Sequence, residues 1–434
     1  MKKLIFYCPS EIVGGSEILF SRLAISISKK NIFQQVSVLD IENGVLSNLC
    51  KNSEKINTIH SFQLDENDDT IIVVPVKCLH QLYELIDDKS ERVKICVWQL
   101  GSGGFSETLF LPFWLKFKFK TKFSFGILKK LFLIFFSKSL KNATHFLTEL
   151  IKNKAVFFTD FVGAYETFND LSLKEINENQ INVLPIFIEK EANVYVQKNN
   201  FKNHELNIGW LGRISHDFKI HSLTHVIKEI TEFNHHEFNQ IKFHIIGDGD
   251  AFFMIEQLKV EIEKKYPNVS FQLYGALSNI ESIEKLINTS DIVVGMGTSS
   301  LDCGKFGIPT VIITPVTTEK DVKKIRYRWL YDSLGFSLGE FPNNVKLSNQ
   351  ISHQNFNQLL SEFKKNRIEI SNKNHQFVSH FFTSEIALAK FEKYLFSTTY
   401  SHSMFKQDFK PIFLSRKFFK KNVTNLYKPK WLPH

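Results

Sequence analysis

The stretch LNIGWLGRISHDFKIHSL, residues 206–223, places two cations around a single turn. An apolar run ends at Gly212 and Arg213, and Lys219 stands where the apolar residues take on helical spacing. Arginine and lysine held on either side of a strand-to-helix turn are suited to binding a group with two negative charges. The stretch therefore predicts a diphosphate-binding turn. If no neighbouring motif supplies further phosphate-binding groups, the alternative interpretation is that Arg213 is a surface arginine and Lys219 a lysine at the start of a helix.

The stretch GMGTSSLDCGKFGIPT, residues 295–310, supplies candidate partners for these cations. Its pattern predicts a helix over Leu301–Phe306. Backbone N–H groups at the start of such a helix can bind an anion, here those of Ser299, Ser300 and Leu301. Asp302 could accept hydrogen bonds from a pair of vicinal hydroxyl groups, or could simply be an acid favoured by the helix dipole. Together with Arg213 and Lys219, these groups describe a nucleotide diphosphate site.

Buried strands alternating with helices must position these turns. Continuous apolar runs, which strands buried on both faces require, predict strands at Leu4–Cys8, Val36–Leu39, Thr70–Val76, Val93–Trp98, Ala155–Thr159, Leu206–Leu211, Ile241–Ile246, Val269–Tyr274, Asp291–Val294 and Thr310–Ile313. Intervening helices are predicted at Ser16–Lys30, Ile220–Phe233 and, after the capping box SNIE, Asn279–Asn288. This alternation predicts doubly wound parallel sheets that bind ligands at the carboxyl ends of their strands.

Composition limits the class of protein. A chain of 434 residues with 43% apolar residues is expected to form two domains. The five cysteines include no CxxC pair, which predicts a reduced, cytoplasmic protein without a zinc site. No apolar run is long enough to span a bilayer, and the apolar run before Pro9 is too short for a signal peptide.

Two segments rich in lysine and aromatic residues predict an anionic interface. Residues 108–148 contain eight lysines and no acidic residue, with Phe, Leu and Trp114 between them, and a similar segment runs from Phe409 to the end. Such segments suit a membrane surface, where lysines meet headgroups and rings enter the acyl boundary. Nucleic acid would accept the same composition, but the pair of segments favours a membrane. In the alternative, the first is a core helix and the second packs on the N-terminal domain.

The ordered set of motifs resembles the retaining glycosyltransferases of family 4, which have the GT-B fold. The motifs are VGGSE near the start, then GWLGRI with Lys219, FHIIGDGD, VSFQLYGAL and SDIVVGMGTSSLDCGKFGIPTVI. The resemblance covers the C-terminal half in order and the N-terminal half more weakly. It implies two Rossmann-like domains facing across a cleft, and the transfer of a sugar from a UDP- or GDP-linked donor without a cofactor or metal.

The resemblance also implies roles for individual residues. Arg213 and Lys219 correspond to the pair that binds the donor diphosphate and supports catalysis. Asp302, five positions before Gly307-Ile308-Pro309, corresponds to the acid that binds the ribose. The remaining donor-binding residues implied are Gly14, Gly15, Gly212, Gly275, Ala276, Leu277, Thr298, Ser299, Ser300 and Leu301.

The sequence departs from the family pattern at two places. The family motif has a glutamate at each end of an eight-residue frame; here the first falls on Val294 or Gly295, and the second is Asp302. A histidine often found after the middle strand of the N-terminal domain is replaced by Gln99. The first departure leaves the donor sugar open.

The predicted organisation has three regions: an acceptor domain over residues 1–190 with a basic aromatic insertion at about 105–145, a nucleotide-sugar domain over 191–385, and a cross-over helix with a basic aromatic tail over 386–434. The predicted function is transfer to a saccharide or lipid-linked saccharide of a bacterial cell-surface polysaccharide, on the inner face of the plasma membrane and without nucleic acid. A non-catalytic GT-B partner that positions a glycan or another transferase is the alternative. A dinucleotide-dependent oxidoreductase is disfavoured because no complete GxGxxG follows the first strand.

Overall fold

The structure is a computed structural model. It describes residues 2–11, 14–62, 69–86, 91–101, 104–105, 137–171, 173, 178–189, 204–216, 218–333, 337–340 and 353–423. At residues 279–280 and 415–423 the backbone alone is described. Most of the predicted insertion at about 105–145 and the end of the chain therefore lie outside the described residues.

The chain divides into two compact units. The first unit consists of Met1–Pro185 and Ala387–His434, and the second of Ile186–Ile386. The closing region, which the sequence sets apart as 386–434, thus belongs to the first unit. The predicted change of domain at residues 190–191 lies outside the described residues.

The first unit is built on a six-stranded parallel sheet in the order β3-β2-β1-β4-β5-β6. Its strands are β1 Lys3–Tyr7, β2 Gln35–Leu39, β3 Ile56–Ile59, β4 Thr70–Pro75, β5 Val93–Gln99 and β6 Val156–Phe158. Its helices within the first segment of the chain are α1 Gly15–Ser28, α2 Val45–Cys50, α3 Leu79–Leu85, α4 Ser137–Lys152 and α5 Phe161–Asp170.

The second unit repeats this strand order. Its strands are β7 Glu205–Leu211, β8 Gln240–Ile246, β9 Val269–Gly275, β10 Ile292–Gly295, β11 Thr310–Ile313 and β12 Tyr327–Trp329. They form a sheet in the order β12-β11-β10-β7-β8-β9, which is parallel except for the antiparallel edge strand β12. The helices are α6 Ile220–Asn234, α7 Phe252–Lys265, α8 Asn279–Thr289, α9 Thr298–Lys305 and α10 Phe356–Phe381.

The closing part of the chain is helical and packs by aromatic contacts. It contains α11 Ser384–Ser397, within which the change of unit falls, and α12 His402–Val423. The Phe409 side chain of α12 is fully buried, and its ring centroid lies 5.1 Å from that of Phe146 in α4. The Phe413 ring lies 4.5 Å from that of Tyr83 in α3. The first part of the Phe409 segment is therefore packed on the N-terminal domain.

The predicted fold class of two doubly wound α/β sheets is confirmed. In each sheet the strand order reverses at one point, between β1 and β4 in the first and between β7 and β10 in the second. In doubly wound sheets, ligands bind beside the carboxyl ends of the strands at this point. The turn after β7, which carries Arg213, and the turn between β10 and α9, the helix that contains Asp302, therefore flank the expected binding crevice of the second unit.

Candidate functional site

The turn after β7 is fixed at three successive residues. Gly212 has a φ of +151°, a conformation that favours glycine, and its N–H donates to the carbonyl of Ile246 at 3.0 Å. Ile214 is fully buried in the core of the second unit. Arg213 stands between these two anchored residues and is exposed. The alternation in Gly-Arg-Ile therefore holds the arginine at the carboxyl edge of the sheet.

The turn GDGD after β8 packs directly on the turn after β7. A Cβ on Gly247 would lie 2.0 Å from the carbonyl oxygen of Gly212, and one on Gly249 would lie 2.2 Å from that of Ile214. Both glycines also have positive φ angles, of 139° and 154°. The two glycines thus allow neighbouring loops to approach at backbone distance.

The aspartates of this turn stabilise the two loops. Asp248 Oδ1 accepts the N–H of Gly249 at 2.7 Å, and Asp250 Oδ1 accepts the N–H of His216 at 3.2 Å. In the described part of the chain, no group of three or more His, Cys, Asp or Glu residues is arranged to hold a metal ion. The expectation that the reaction needs no metal stays a prediction.

Three polar atoms converge above Gly212. A Cβ built on this glycine would lie 3.4 Å from Lys219 Nζ, 3.9 Å from Ser299 Oγ and 3.9 Å from Trp210 Nε1. The indole N–H of Trp210 donates to the carbonyl of Gly212 at 3.3 Å, which fixes the ring beside the turn. The structure therefore brings together three residues that the sequence predicts for the site, Gly212, Lys219 and Ser299. Trp210 was not predicted, although it stands two residues before the glycine.

Helix α9 begins at Thr298, three residues earlier than predicted. Its N-cap is Gly297, with a φ of +68°. The N–H groups at the start of a helix need partners outside it. The N–H of Gly297 donates to the carbonyl of Leu338 at 2.7 Å. The N–H of Ser300 donates to the carbonyl of Gly297 at 3.2 Å. The donors offered to a ligand are therefore the N–H groups of Thr298 and Ser299. The expected set of Ser299, Ser300 and Leu301 shifts towards the start of the helix.

The side chains of the other predicted residues in α9 differ in exposure. Ser300 and Leu301 are fully buried, and the Ser300 Oγ has no hydrogen-bond partner among the described residues. Asp302 is partly exposed. Burial, and secondarily the charge of Asp302, raise the pKa of the neighbouring Cys303 thiol. Asp302 is thus a partly exposed charged residue in the first half of the helix, and Lys305 is another in its last turn.

The turn after β9 leaves open space at its start. Gly275 has a φ of +67°, and a Cβ there would meet no atom within 4 Å. Its carbonyl accepts the N–H of Gly247 at 2.8 Å, which links this turn to the loop after β8. Ala276 and Leu277 are exposed. The role of these three residues in lining a base stays a prediction.

In the first unit, Gly14 and Gly15 lie at the start of α1, beside the point where that sheet reverses its order. Gly14 is the N-cap residue. Glu17 is buried in the first turn, and its Oε1 lies 2.5 Å from the Lys77 Nζ. Burial would raise the pKa of Glu17, but hydrogen bonds from Lys77 and Ser16 outweigh it and lower the pKa. This ion pair, which sequence reasoning missed, fixes the glycine turn against the segment after β4.

Neither position at which the sequence departs from the family pattern offers a ligand-binding group. Val294 and Gly295 are buried in β10. Gln99 is buried at the end of β5, where its Nε2 donates to Thr167 Oγ1 at 2.7 Å and to the Gly101 carbonyl at 2.9 Å. The amide of Gln99 is therefore used within the first unit to hold the chain after β5.

Comparisons with known proteins show similarity in fold. No protein-family model matches the chain, and no curated protein matches it. The N-terminal domain of Candida albicans trehalose-6-phosphate phosphatase has 12% identity and a TM-score of 0.54, covering 91% of this chain and 96% of its own. A trehalose-6-phosphate synthase, from work on enzymatic glycosyltransfer with retention, has 12% identity and a TM-score of 0.50, covering 90% and 98%. The chain therefore has a fold of the GT-B class.

The structure also bears on membrane insertion. Within the residues that it describes, no helix is both long enough and apolar enough to cross a membrane.

Proposed function

We propose that the protein is a retaining glycosyltransferase that uses a nucleotide-diphosphate sugar. The observation that carries this proposal is the convergence of Lys219 Nζ, Ser299 Oγ and Trp210 Nε1 above Gly212. These groups lie at the carboxyl edge of a doubly wound sheet, where the strand order reverses. Lys219 supplies a cation that suits phosphate oxygens. The Trp210 N–H and the Ser299 hydroxyl group donate to the carbonyls of Gly212 and Met296, and so fix the turn and the start of α9 around that cation.

The proposed chemistry is the departure of a nucleoside diphosphate from the anomeric carbon of the donor. The bond between that carbon and the diphosphate oxygen breaks, and the acceptor oxygen forms a new bond on the same face. The acceptor proton leaves with the diphosphate. Lys219 and Arg213 stabilise the negative charge that grows on the departing group, assisted by the N–H groups of Thr298 and Ser299. Preorganised donors of this kind contribute several kcal/mol to lowering a barrier.

The remaining predicted residues would hold the nucleoside. Asp302 would accept hydrogen bonds from the ribose hydroxyl groups, and residues 275–277 would line a uracil or guanine base. Gly14 and Gly15 are assigned to donor binding by the family resemblance alone. The similar fold of a trehalose-6-phosphate synthase, which transfers glycosyl groups with retention, supports the reaction class.

The proposed acceptor is a saccharide or lipid-linked saccharide used in a bacterial cell-surface polysaccharide. Support comes from the parts of the two basic aromatic segments at residues 108–136 and 415–434, which would attract an anionic membrane surface, whereas Phe146 and Phe409 are buried within the first unit. We further propose a cytoplasmic, peripheral location on the inner face of the plasma membrane, and no nucleic-acid partner.

A non-catalytic GT-B partner is the second candidate. The buried, uncharged residues at Val294 and Gly295 favour it, because a glutamate at this point of the family motif would hold the donor sugar. Arg213, Lys219 and Asp302 oppose it, because a scaffold has no need of diphosphate ligands.

A panel of UDP- and GDP-linked sugars separates the two candidates. The purified full chain is incubated with each donor, and released nucleoside diphosphate is measured with and without EDTA. A transferase should release it slowly from one donor by hydrolysis, at a rate that EDTA leaves unchanged. Nucleotide binding without release from any donor would favour the non-catalytic partner. Absence of both binding and release would contradict the proposed donor site.

A further inference from the structure

A cavity separate from the candidate donor site lies in the second unit, between α6, the segment before β12 and the start of α10. Its volume is about 570 Å³. Glu229 at its inner side accepts a hydrogen bond from the buried hydroxyl of Tyr327, with 2.5 Å between the oxygens, and lies 3.3 Å from His225 Nε2. Burial would raise the pKa of Glu229, but these hydrogen bonds outweigh it and lower the pKa. Glu229 is therefore an ionised carboxylate whose charge is used to hold the cavity wall.

The outer side of the cavity carries an exposed aromatic ring, three cations and the exposed carboxylate of Glu232. Phe233, in the last turn of α6, is 64% exposed. This is the highest exposure of any phenylalanine whose side chain the structure describes. Lys228, Lys323 and Arg326 line the same cavity and are exposed. Arg326 NH1 donates to the carbonyls of Ile325 at 2.7 Å and Lys323 at 3.1 Å, which holds the guanidinium group in place.

Two buried polar atoms of residues that line the cavity have no partner within the described part of the chain. They are His353 Nδ1 and Gln354 Oε1, both buried. An unsatisfied buried polar atom is costly, so such atoms call for a water molecule or a ligand hydroxyl group nearby. A hydroxyl group can donate to the glutamine oxygen and can pair with the imidazole nitrogen in either tautomer.

We propose that this cavity binds an acidic sugar unit, a pyranose ring that carries a carboxylate or phosphate group. The apolar face of the ring lies on Phe233, and burial of that surface supplies part of the affinity. The anionic group binds Arg326 and Lys323, since a guanidinium group matches the geometry of a carboxylate or phosphate. The ring hydroxyl groups lie on the side of residues 353–354, and pairing with the buried polar atoms there requires a local opening of that side. This site goes beyond the donor site and needs no nucleotide.

Binding of three small probes to the full chain tests the proposal. Glucuronate supplies both ring and charge, glucose the ring alone, and inorganic phosphate the charge alone. Glucuronate is expected to bind saturably, with a Kd at least about fivefold lower than that of either other probe, because only it engages both contacts. Saturation-transfer NMR and calorimetric titration give the values. Absence of saturable glucuronate binding would overturn the proposal, as would phosphate binding of equal strength.

Matched variants locate the site. Phe233→Ala and Arg326→Met should each raise the Kd for glucuronate at least about fivefold. Phe253→Ala, at a phenylalanine that is 50% exposed in α7, and Lys264→Met, at an exposed lysine, should leave it unchanged. All four positions are exposed, and circular dichroism confirms the fold of each variant. Equal Kd values in the site and control variants would place glucuronate elsewhere and refute the site.

Binding in a donor-site variant separates this inference from the proposed function. Lys219→Ala should keep the parental Kd for glucuronate, and Phe233→Ala should keep the parental affinity for UDP or GDP. If no nucleotide binds but glucuronate binding persists and depends on Phe233, the donor site alone is wrong. If Lys219→Ala abolishes glucuronate binding, the probe occupies the donor site and the second site is refuted.

Discussion

Lys219 is the N-cap residue of α6, and its ammonium nitrogen would lie 3.4 Å from a Cβ built on Gly212. The sequence predicts this lysine and Arg213 because both follow an apolar run that ends in glycine. It does not predict Trp210, because a tryptophan in an apolar run is most simply a core residue. Its indole N–H becomes relevant only through the φ of Gly212, which turns the glycine carbonyl towards it.

Removing either cation should slow the reaction. Arg213→Ala and Lys219→Ala are each expected to lower the rate of sugar transfer by roughly a hundredfold or more, since each removes a charge that stabilises the departing diphosphate. Lys264→Ala, at an exposed lysine in the last turn of α7, is the control and should keep the parental rate. Steady-state kinetics with a donor that the parent uses give the comparison. Near-parental rates in both site variants would show that the diphosphate binds elsewhere.

Asp302 should act mainly on donor affinity. Its carboxylate is proposed to accept hydrogen bonds from the ribose, so Asp302→Ala should weaken nucleotide binding by about 1.5–3 kcal/mol, the range for hydrogen bonds to charged groups. A deoxyribose analogue lacks one of the hydroxyl groups and should lose less affinity in the variant than the natural nucleotide does. Equal losses for both nucleotides, measured by titration calorimetry, would exclude the ribose contact.

Helix α9 shows how far an element can be predicted from its residues. The sequence predicts its end and the strand after it, and Thr310–Ile313 matches β11 residue for residue. The start was predicted at Leu301 because Thr298 to Ser300 are typical turn residues. Gly297, with its φ of +68°, caps the helix before them, and that backbone conformation is set by the bond from its N–H to Leu338. Because Leu338 is distant along the chain, the residues around Gly297 carry no local sequence pattern that would predict this start of the helix.

Short edge strands were missed for a related reason. β3 is Ile-Asn-Thr-Ile with two exposed central residues, and β12 is Tyr-Arg-Trp with an arginine at its centre. Neither therefore shows the continuous apolar run by which the other strands, some equally short, are predicted. β12 pairs antiparallel with β11, and its Arg328 forms a buried ion pair with Glu340 at 2.7 Å. A buried arginine in a strand cannot be expected from composition, because its position depends on a carboxylate twelve residues away.

The central strands of the second sheet carry a group that should make stability depend on pH. His244 in β8 is buried, with its Nδ1 3.0 Å from the Tyr274 hydroxyl oxygen of β9. Burial, with smaller contributions from Lys242 and Lys285, lowers the pKa of His244 to about 4. The unfolded chain binds this proton near pH 6.5. Between these values the unfolded state carries more protons, so the free energy of unfolding falls as the pH decreases from about 6.5 to about 4.

His244→Gln should remove this dependence. Between pH 7 and pH 4.5, the free energy of unfolding of the parent is expected to fall by on the order of 2–3 kcal/mol more than that of the variant. The reason is that, between the folded and unfolded pKa values of His244, this free energy changes by about 1.4 kcal/mol per pH unit. Urea unfolding of both proteins at the two pH values gives the double difference, in which the titration of shared groups cancels. The same loss in parent and variant would mean that His244 is protonated equally in both states.

Taken as a whole, the molecule was most predictable in its repeated architecture. Both sheets have the same strand order, and the sequence shows this as alternating buried strands and helices. The basic aromatic segments were less predictable, because lysine and phenylalanine serve a membrane surface or a protein core equally well. Phe409 and Ile412 of the closing segment are buried. A surface role for that segment therefore cannot use Phe409 and Ile412, whereas Lys410 and Leu414 are exposed.

Membrane attachment is expected through residues 108–136 and 415–434. The second of these contains six basic residues and no acid. Each basic residue close to an anionic surface contributes about 1 kcal/mol before screening. The full chain should float with anionic liposomes and not with neutral ones, with a fraction bound that falls steadily as salt rises. Truncation after Leu414, which keeps the buried Phe409 in place, should reduce flotation. Failure to float with anionic liposomes at low salt would refute attachment and indicate a soluble acceptor.

The central claim is that a nucleoside diphosphate binds at the carboxyl edge of the second sheet, against Lys219. Calorimetric titration of UDP and GDP into the full chain tests it most directly, with Lys219→Ala as the variant and Lys264→Ala as the control. One of the two nucleotides should bind the parent and the control equally, at one site per chain. The variant should bind it at least about tenfold more weakly, as loss of a charged hydrogen bond requires. Binding of neither nucleotide to the parent, or unchanged binding to Lys219→Ala, would contradict the account.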